Sequence, residues 1–161
     1  MSNTLVAYFS ASGTTAMLAQ TLSDSIGADL YAIEPEAPYT QADLDWRDKT
    51  SRSTIEMNDP ASRPGIVRKR DAMDKYDTVF VGFPIWWYAA PTVINTFLES
   101  YDFTGKTVVL FATSGGSGMG KSYERLLPSC PGARLIEGKV WEMTAKSEEL
   151  AAWADGLLKQ N

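Results

Sequence analysis

The chain has 161 residues, 44% of them hydrophobic, which is enough for one substantial core, and a single domain spanning 1–161 is expected. Fifteen Lys and Arg against 20 Asp and Glu leave a formal charge of -5, which argues against nucleic acid as a partner and suits a basic protein partner. Cys130 is the one cysteine and has no internal disulfide partner; no basic leader precedes the first apolar run, and no run approaches the roughly 20 residues that span a bilayer. The expected address is therefore the cytoplasm, with no membrane span.

Residues 5–9 (LVAYF) form a nearly continuous apolar run, the pattern of a strand covered on both faces. Residues 10–15 (SASGTT) come next, and then Met17, Leu18, Leu22 and Ile26 recur at helical spacing. No charge occurs through Gln20. Free backbone N–H groups and the positive dipole end of a helix start attract a dianion, hydroxyls donate further bonds, and Gly13 permits close approach. Ser10, Ala11, Ser12, Gly13, Thr14 and Thr15 are thus candidates for a phosphate grip. A Ser/Thr-rich turn with ordinary N-caps is the alternative.

Residues 29–33 read as a weaker strand. Residues 36–66 are read as one helix plus loop: 40–58 is polar and loosely helical, and Pro60, Pro64 and Gly65 interrupt the remainder of the segment. Arg63, Arg68, Lys69 and Arg70 are interleaved with Asp71 and Asp74 and read as a solvated turn.

Residues 78–82 (TVFVG) are a second central strand, released into 83–91 (FPIWWYAAP). That loop is uncharged and carries three large aromatics where a strand reaches solvent. A flat heteroaromatic ligand stacked on Trp86, Trp87 or Tyr88 explains them, and so does capping of the core. A helix starts at Pro91 and gathers Val93, Ile94, Phe97, Leu98 and Tyr101 on one side.

Residues 107–111 (TVVLF) are the third continuous run, succeeded by the glycine-rich 113–121 (TSGGSGMGK). Gly115, then Gly120, Lys121 and Ser122, match the nucleotide-binding P-loop literally. No later strand ends in the Asp that helps hold Mg²⁺ in such proteins, so a P-loop nucleotide-binding protein is the alternative and a wall of small residues around a ligand the preferred reading. A short strand near 139–141 and a helix through Leu150, Trp153, Ala154 and Leu157, opened by Glu148 and Glu149, close the domain. Met17, Trp141 and Trp153 are read as packing residues.

Five strands alternating with helices make an α/β fold, a doubly wound parallel sheet with helices on both faces. In such sheets ligands bind beyond the carboxyl ends of the strands. A receiver-type signalling module shares this architecture, but it needs clustered carboxylates where Ser10 and Phe83 stand.

Three segments carry a family resemblance: 8–15 (YFSASGTT), 82–87 (GFPIWW) with Ala90-Pro91, and 113–116 (TSGG). On these, over nearly its whole length, the chain resembles the flavodoxin family, and most the short flavodoxin-like proteins with a Pro-Ile-Trp-Trp segment. The resemblance implies an FMN phosphate at Ser10, Ser12, Gly13, Thr14 and Thr15. It also implies an isoalloxazine ring bordered by Pro84, Ile85, Trp86, Trp87 and Tyr88 and by Thr113, Ser114, Gly115 and Gly116. Electron carriers of the family sandwich the ring with a tyrosine from the fourth-strand loop, which here has no aromatic before Tyr123. One flavin face is then open unless Tyr39, Trp46 or a second subunit covers it. The three loops are also uncharged before Lys121, which suits hydride chemistry more than very low-potential electron transfer. With no histidine in the chain, the expected function is flavin redox chemistry without a side-chain nucleophile. The chain is then either an electron carrier for a redox partner protein or an NAD(P)H-dependent reductase of quinone-like acceptors.

Overall fold

The computed structural model describes residues 3–11, 13–67, 72–114, 118–142 and 144–159. Its main sheet is formed by β1 (Thr4–Tyr8), β2 (Asp29–Ala32), β5 (Thr78–Pro84), β6 (Thr107–Thr113) and β7 (Arg134–Trp141), all parallel, in the order β2-β1-β5-β6-β7. A two-residue ribbon pairs β3 (Glu34–Pro35) with β4 (Ile66–Val67) in antiparallel fashion. The helices are α1 (Thr14–Ile26), α2 (Arg52–Met57), α3 (Thr92–Glu99), α4 (Ser122–Leu126) and α5 (Ser147–Leu158).

The apolar runs are continuous because each central strand feeds two cores. Leu5, Ala7, Val79, Val81, Phe83, Val108, Leu110 and Ala112 face α3 and α4, and pack with Val93, Ile94, Phe97 and Leu126. Their neighbours Val6, Phe80, Val109 and Phe111 face the other way, onto Leu18, Ala19 and Leu22 of α1 and Leu150 and Ala154 of α5. Each fully buried Leu, Val or Phe contributes about 1.5–3 kcal/mol relative to an exposed one. Helix α1 stops at Gly27, which turns left-handed at φ 68° and returns its N–H to the Ser23 carbonyl. Helix α5 begins where the Lys146 N–H donates to the Glu149 carboxylate at 3.2 Å.

Residues 36–66 are one helix plus turns, as expected, but the helix, α2, has only six residues. The acidic side chains are the reason: Asp43, Asp45 and Asp48 accept backbone N–H bonds from Thr40, Arg47 and Thr50, and so compete with helical pairing until Ser51 caps α2. Two other expectations need correction. Met17 is 58% exposed rather than packed, because α1 turns that side to solvent. Trp141 and Trp153 do pack, edge-on to one another at 5.4 Å. Strand β7 begins at Arg134, well before 139, as an edge strand with exposed Glu137, Gly138 and Lys139. Gly138, at φ 68°, sits at the register shift between Val109 and Phe111, where a Cβ would strike the Leu110 carbonyl. Among the described residues no helix is long and apolar enough to cross a membrane.

Candidate functional site

The chain leaves β1 to one side for β2 and crosses to the other side for β5, so the order reverses at β1. The crevice at the carboxyl end of that reversal is where such sheets take ligands. The loops after β1, β5 and β6 all open there, since these strands are neighbours.

In the first loop the Ser10 hydroxyl accepts the Gly13 N–H at 3.0 Å. Gly13, at φ 94°, is the N-cap of α1, with nothing within 4 Å of where a Cβ would lie. The helix thus starts without a side-chain cap and without an acidic residue in its first turn, which leaves its positive end uncompensated by protein charge. Thr15 is buried, and its hydroxyl shares a 2.8 Å hydrogen bond with that of Thr113 at the end of β6. That bond ties the first loop to the third. Thr14 and Ser114 are half-buried beside it. Ser12, Gly115 and Gly116 lie outside the described residues.

In the second loop Pro84 is still in β5, opposite Thr113, and the Ile85 N–H donates to the Thr113 carbonyl at 2.9 Å. Trp86 and Ala89 exchange backbone hydrogen bonds of 2.9 and 3.0 Å around a two-residue turn. Its central residues, Trp87 and Tyr88, have φ of 49° and 62°. Asn and Gly usually fill such a turn; bulky residues there store about 1–3 kcal/mol each. The geometry holds Trp87 and Tyr88 at 40% and 70% exposure. Trp86 instead packs inward, 5.7 Å from Phe9 and 5.4 Å from Tyr39, ring centre to ring centre. One of the three aromatics therefore caps the core and two stand at the surface.

In the third loop Gly120 adopts φ 57° and lies so close to Tyr88 that a Cβ would overlap the Tyr88 carbonyl. That carbonyl accepts the Lys121 N–H at 2.7 Å, and the buried Ser122 hydroxyl donates to the Met119 carbonyl at 2.7 Å. The P-loop-like Gly-Lys-Ser is thus a clasp on the Trp87-Tyr88 turn, continued by a helix of only five residues. Its serine hydroxyl is committed to a carbonyl, whereas a P-loop directs it to Mg²⁺.

Between the first two loops and α2 lies a cavity of about 420 Å³, lined by Ala11, Leu44, Trp46, Ser53, Pro84, Ile85, Trp86 and Trp87. Among the described residues, no lining side chain is ionisable. Trp46 brings to it a large aromatic from the 36–66 segment. Leu44 and Ser53 carry no motif and could not be found from the sequence. That wall is pinned at several points. The Asp43 carbonyl accepts the Ser53 N–H at 2.9 Å, and Arg52 donates to the Ala37 carbonyl at 2.6 Å and to Glu56 at 2.9 Å. The Arg52 guanidinium lies 3.8 Å above the Tyr39 ring, and the Tyr39 hydroxyl donates to Glu56. Burial, reinforced by the Glu56 carboxylate, pushes the Tyr39 hydroxyl far above its ordinary range. Ser53 is 1% exposed, and among the described residues its hydroxyl has no hydrogen-bond partner.

The chain is 49% identical to a candidate flavoprotein of Bacteroides eggerthii, with a TM-score of 0.91 over 98% of this chain and 99% of that one. A candidate flavoprotein of Bacteroides uniformis is 46% identical, with a TM-score of 0.89 over 96% and 98%. A flavoprotein of Lactobacillus acidophilus, crystallised in complex with FMN, shares the fold at a TM-score of 0.69 and 23% identity over 96% and 99%. No curated protein matches the chain. The sequence profile described as Flavodoxin matches residues 3–157, and the sheet order places the three loops of that pattern at one switch point, so the chain belongs to the flavodoxin family.

Proposed function

We propose that this protein binds one FMN and works as a redox flavoprotein whose best-supported reaction is reduction of neutral, quinone-like acceptors by NAD(P)H. The observation that carries the proposal is the uncharged cavity flanked by Trp46, Trp86 and Trp87, directly beside the hydroxyl-rich loop that opens α1. The residues fit the cofactor. Ser10, Ser12, Gly13, Thr14 and Thr15 hold the phosphate through hydroxyls and backbone N–H groups, and the uncapped α1 terminus adds its dipole. Ala11, Pro84, Ile85, Trp86, Trp87 and Tyr88 border the ring on one side, and Thr113, Ser114, Gly115 and Gly116 on the other. Trp46 supplies the second aromatic wall that the loop after β6 lacks. Bound FMN supplies one- and two-electron transfer. The chain's own residues bind it, orient it and keep water from its ring; none is needed as a nucleophile. That a protein of the same fold was crystallised with FMN supports the cofactor assignment.

The lining favours a reductase over a carrier, because among the described residues no acidic side chain lines the cavity to penalise added negative charge on the ring. Buried Cys130 suits a reducing cytoplasm. The test is an FMN titration of the purified protein, then steady-state NAD(P)H oxidation with and without a quinone. Stoichiometric FMN binding and quinone-dependent turnover are expected. Ser12→Glu, confirmed as folded by circular dichroism, should weaken FMN binding about a hundredfold by placing like charge at the phosphate. A protein that binds no FMN ends the proposal. One that binds FMN without turnover, yet passes electrons to a basic partner protein, is a carrier.

A further inference from the structure

The cavity lining contains one buried hydroxyl with no partner among the described residues. The hydroxyls around it are engaged: Ser51 and Thr54 hydrogen-bond to each other at 2.8 Å, and the Ser51 oxygen also caps the Thr54 N–H. The Ser53 backbone N–H is itself committed to Asp43. Only the Oγ of Ser53, in a residue 1% exposed, is left over. Among the described residues the rest of the lining is aliphatic, proline or tryptophan, so Ser53 is the one described lining side chain able both to donate and to accept. A small packing residue alone would not require it, since alanine fills nearly the same space without burying an unmet polar group.

We infer that the Ser53 hydroxyl is a hydrogen-bonding contact for the heteroatom edge of the flavin ring, which makes α2 a wall of the cofactor site alongside the loops after β1, β5 and β6. The inference rests on the FMN reading above and adds a residue to it. A flavin ring carries carbonyl, N–H and bare nitrogen positions along one edge, and a hydroxyl that rotates can serve any of them. Preorganisation favours the contact: Ser53 to Asp43, Arg52 to Ala37 and Arg52 to Glu56 hold α2 in place, so little ordering remains when the ring arrives. The pairing also accounts for a serine in a lining that is otherwise apolar among the described residues: it selects a ring with a polar edge over a plain hydrocarbon of the same shape.

The experiment is Ser53→Ala in the full chain. Dissociation constants for FMN and for riboflavin are measured by flavin fluorescence, and melting temperatures are taken without flavin and at saturating FMN. Because the contact is to the ring and not the phosphate, both constants should rise by the same factor, about five- to twentyfold. Without flavin the variant should melt at the same temperature as the parent or up to about 4 °C higher, since it no longer buries an unpaired hydroxyl. With FMN it should melt lower than the parent. Unchanged FMN affinity overturns the inference and leaves the FMN reading standing. So does a loss confined to FMN, which would place the effect at the phosphate, and so does a lower flavin-free melting temperature, which would make Ser53 a packing residue. If the parent protein binds neither FMN nor riboflavin, the FMN reading fails and this contact falls with it.

Discussion

Tyr39 shows how one side chain couples the outer wall of the site to the core. Its ring packs edge-on to Phe9 at 5.5 Å and against Trp86, while its hydroxyl donates to Glu56 under the Arg52 guanidinium. Burial first, and the Glu56 bond second, raise its pKa far above the ordinary 10.0. Above pH 10 the unfolded chain gives up the Tyr39 proton while the folded chain keeps it, so this contribution to stability is complete below pH 10 and declines as the pH rises. Tyr39→Phe should therefore cost about 1 kcal/mol at neutral pH, through the lost bond to Glu56. It should also lose stability less steeply than the parent above pH 10. Urea midpoints from pH 7 to 11 check both; parallel curves for the two proteins would refute the assignment. Residues of this kind are poorly legible in a sequence. Trp86, Trp87 and Tyr88 are consecutive and chemically alike, yet the backbone sends the first into the core and the next two outward, which depends on two positive φ angles that nothing in the composition marks. Ser53 is less visible still, being one hydroxyl among several in a polar stretch.

The elements of the sheet were legible because burial on both faces writes itself into sequence as continuous apolar runs, and β1, β5 and β6 fall on the three such runs. The edge told less: β7 mixes exposed charge with buried Leu135 and Trp141 and bends at Gly138, so only its last residues read as strand. The segment carrying α2 was obscured by Asp43, Asp45 and Asp48, whose side chains take over backbone pairing that a helix would have used. The loop after β6 is conspicuous for its glycines, but the reason for Gly120 is tertiary: its φ of 57° and its contact with the Tyr88 carbonyl close the clasp on the strained Trp87-Tyr88 turn. Gly120→Val should thus break the Lys121 to Tyr88 hydrogen bond and cost about 2–4 kcal/mol, as strain and overlap act together. Gly13→Ala, where φ is also positive but nothing lies within 4 Å of the new methyl, should cost only about 1–2 kcal/mol. Denaturant midpoints of the two variants test the ranking, and equal losses would mean that the clasp carries no weight.

At the scale of the whole molecule, charge and topology act in opposite directions on a phosphorylated ligand. The chain carries a net charge of -5 and so repels a dianion at long range, while the switch point presents hydroxyls, amide N–H groups and a helix dipole with, among the described residues, no lining cation. The two contributions respond differently to salt. Long-range repulsion is screened once the Debye length falls from about 14 Å at 50 mM to about 4 Å at 500 mM, whereas hydrogen bonds made inside the loop are not. A site that grips phosphate with Lys or Arg loses affinity over that range. Here FMN affinity should stay constant or rise by up to about threefold between about 50 and 500 mM sodium chloride, through faster association as repulsion is screened. Riboflavin, which has no phosphate, should bind equally well at both concentrations. The difference between the two ligands isolates the phosphate from any general effect of salt on the apolar chamber. If FMN binding weakened steeply while riboflavin binding held, a cation would have to lie on the phosphate, with Lys121 the nearest candidate in sequence to the three loops, and the description of the grip as neutral would be wrong.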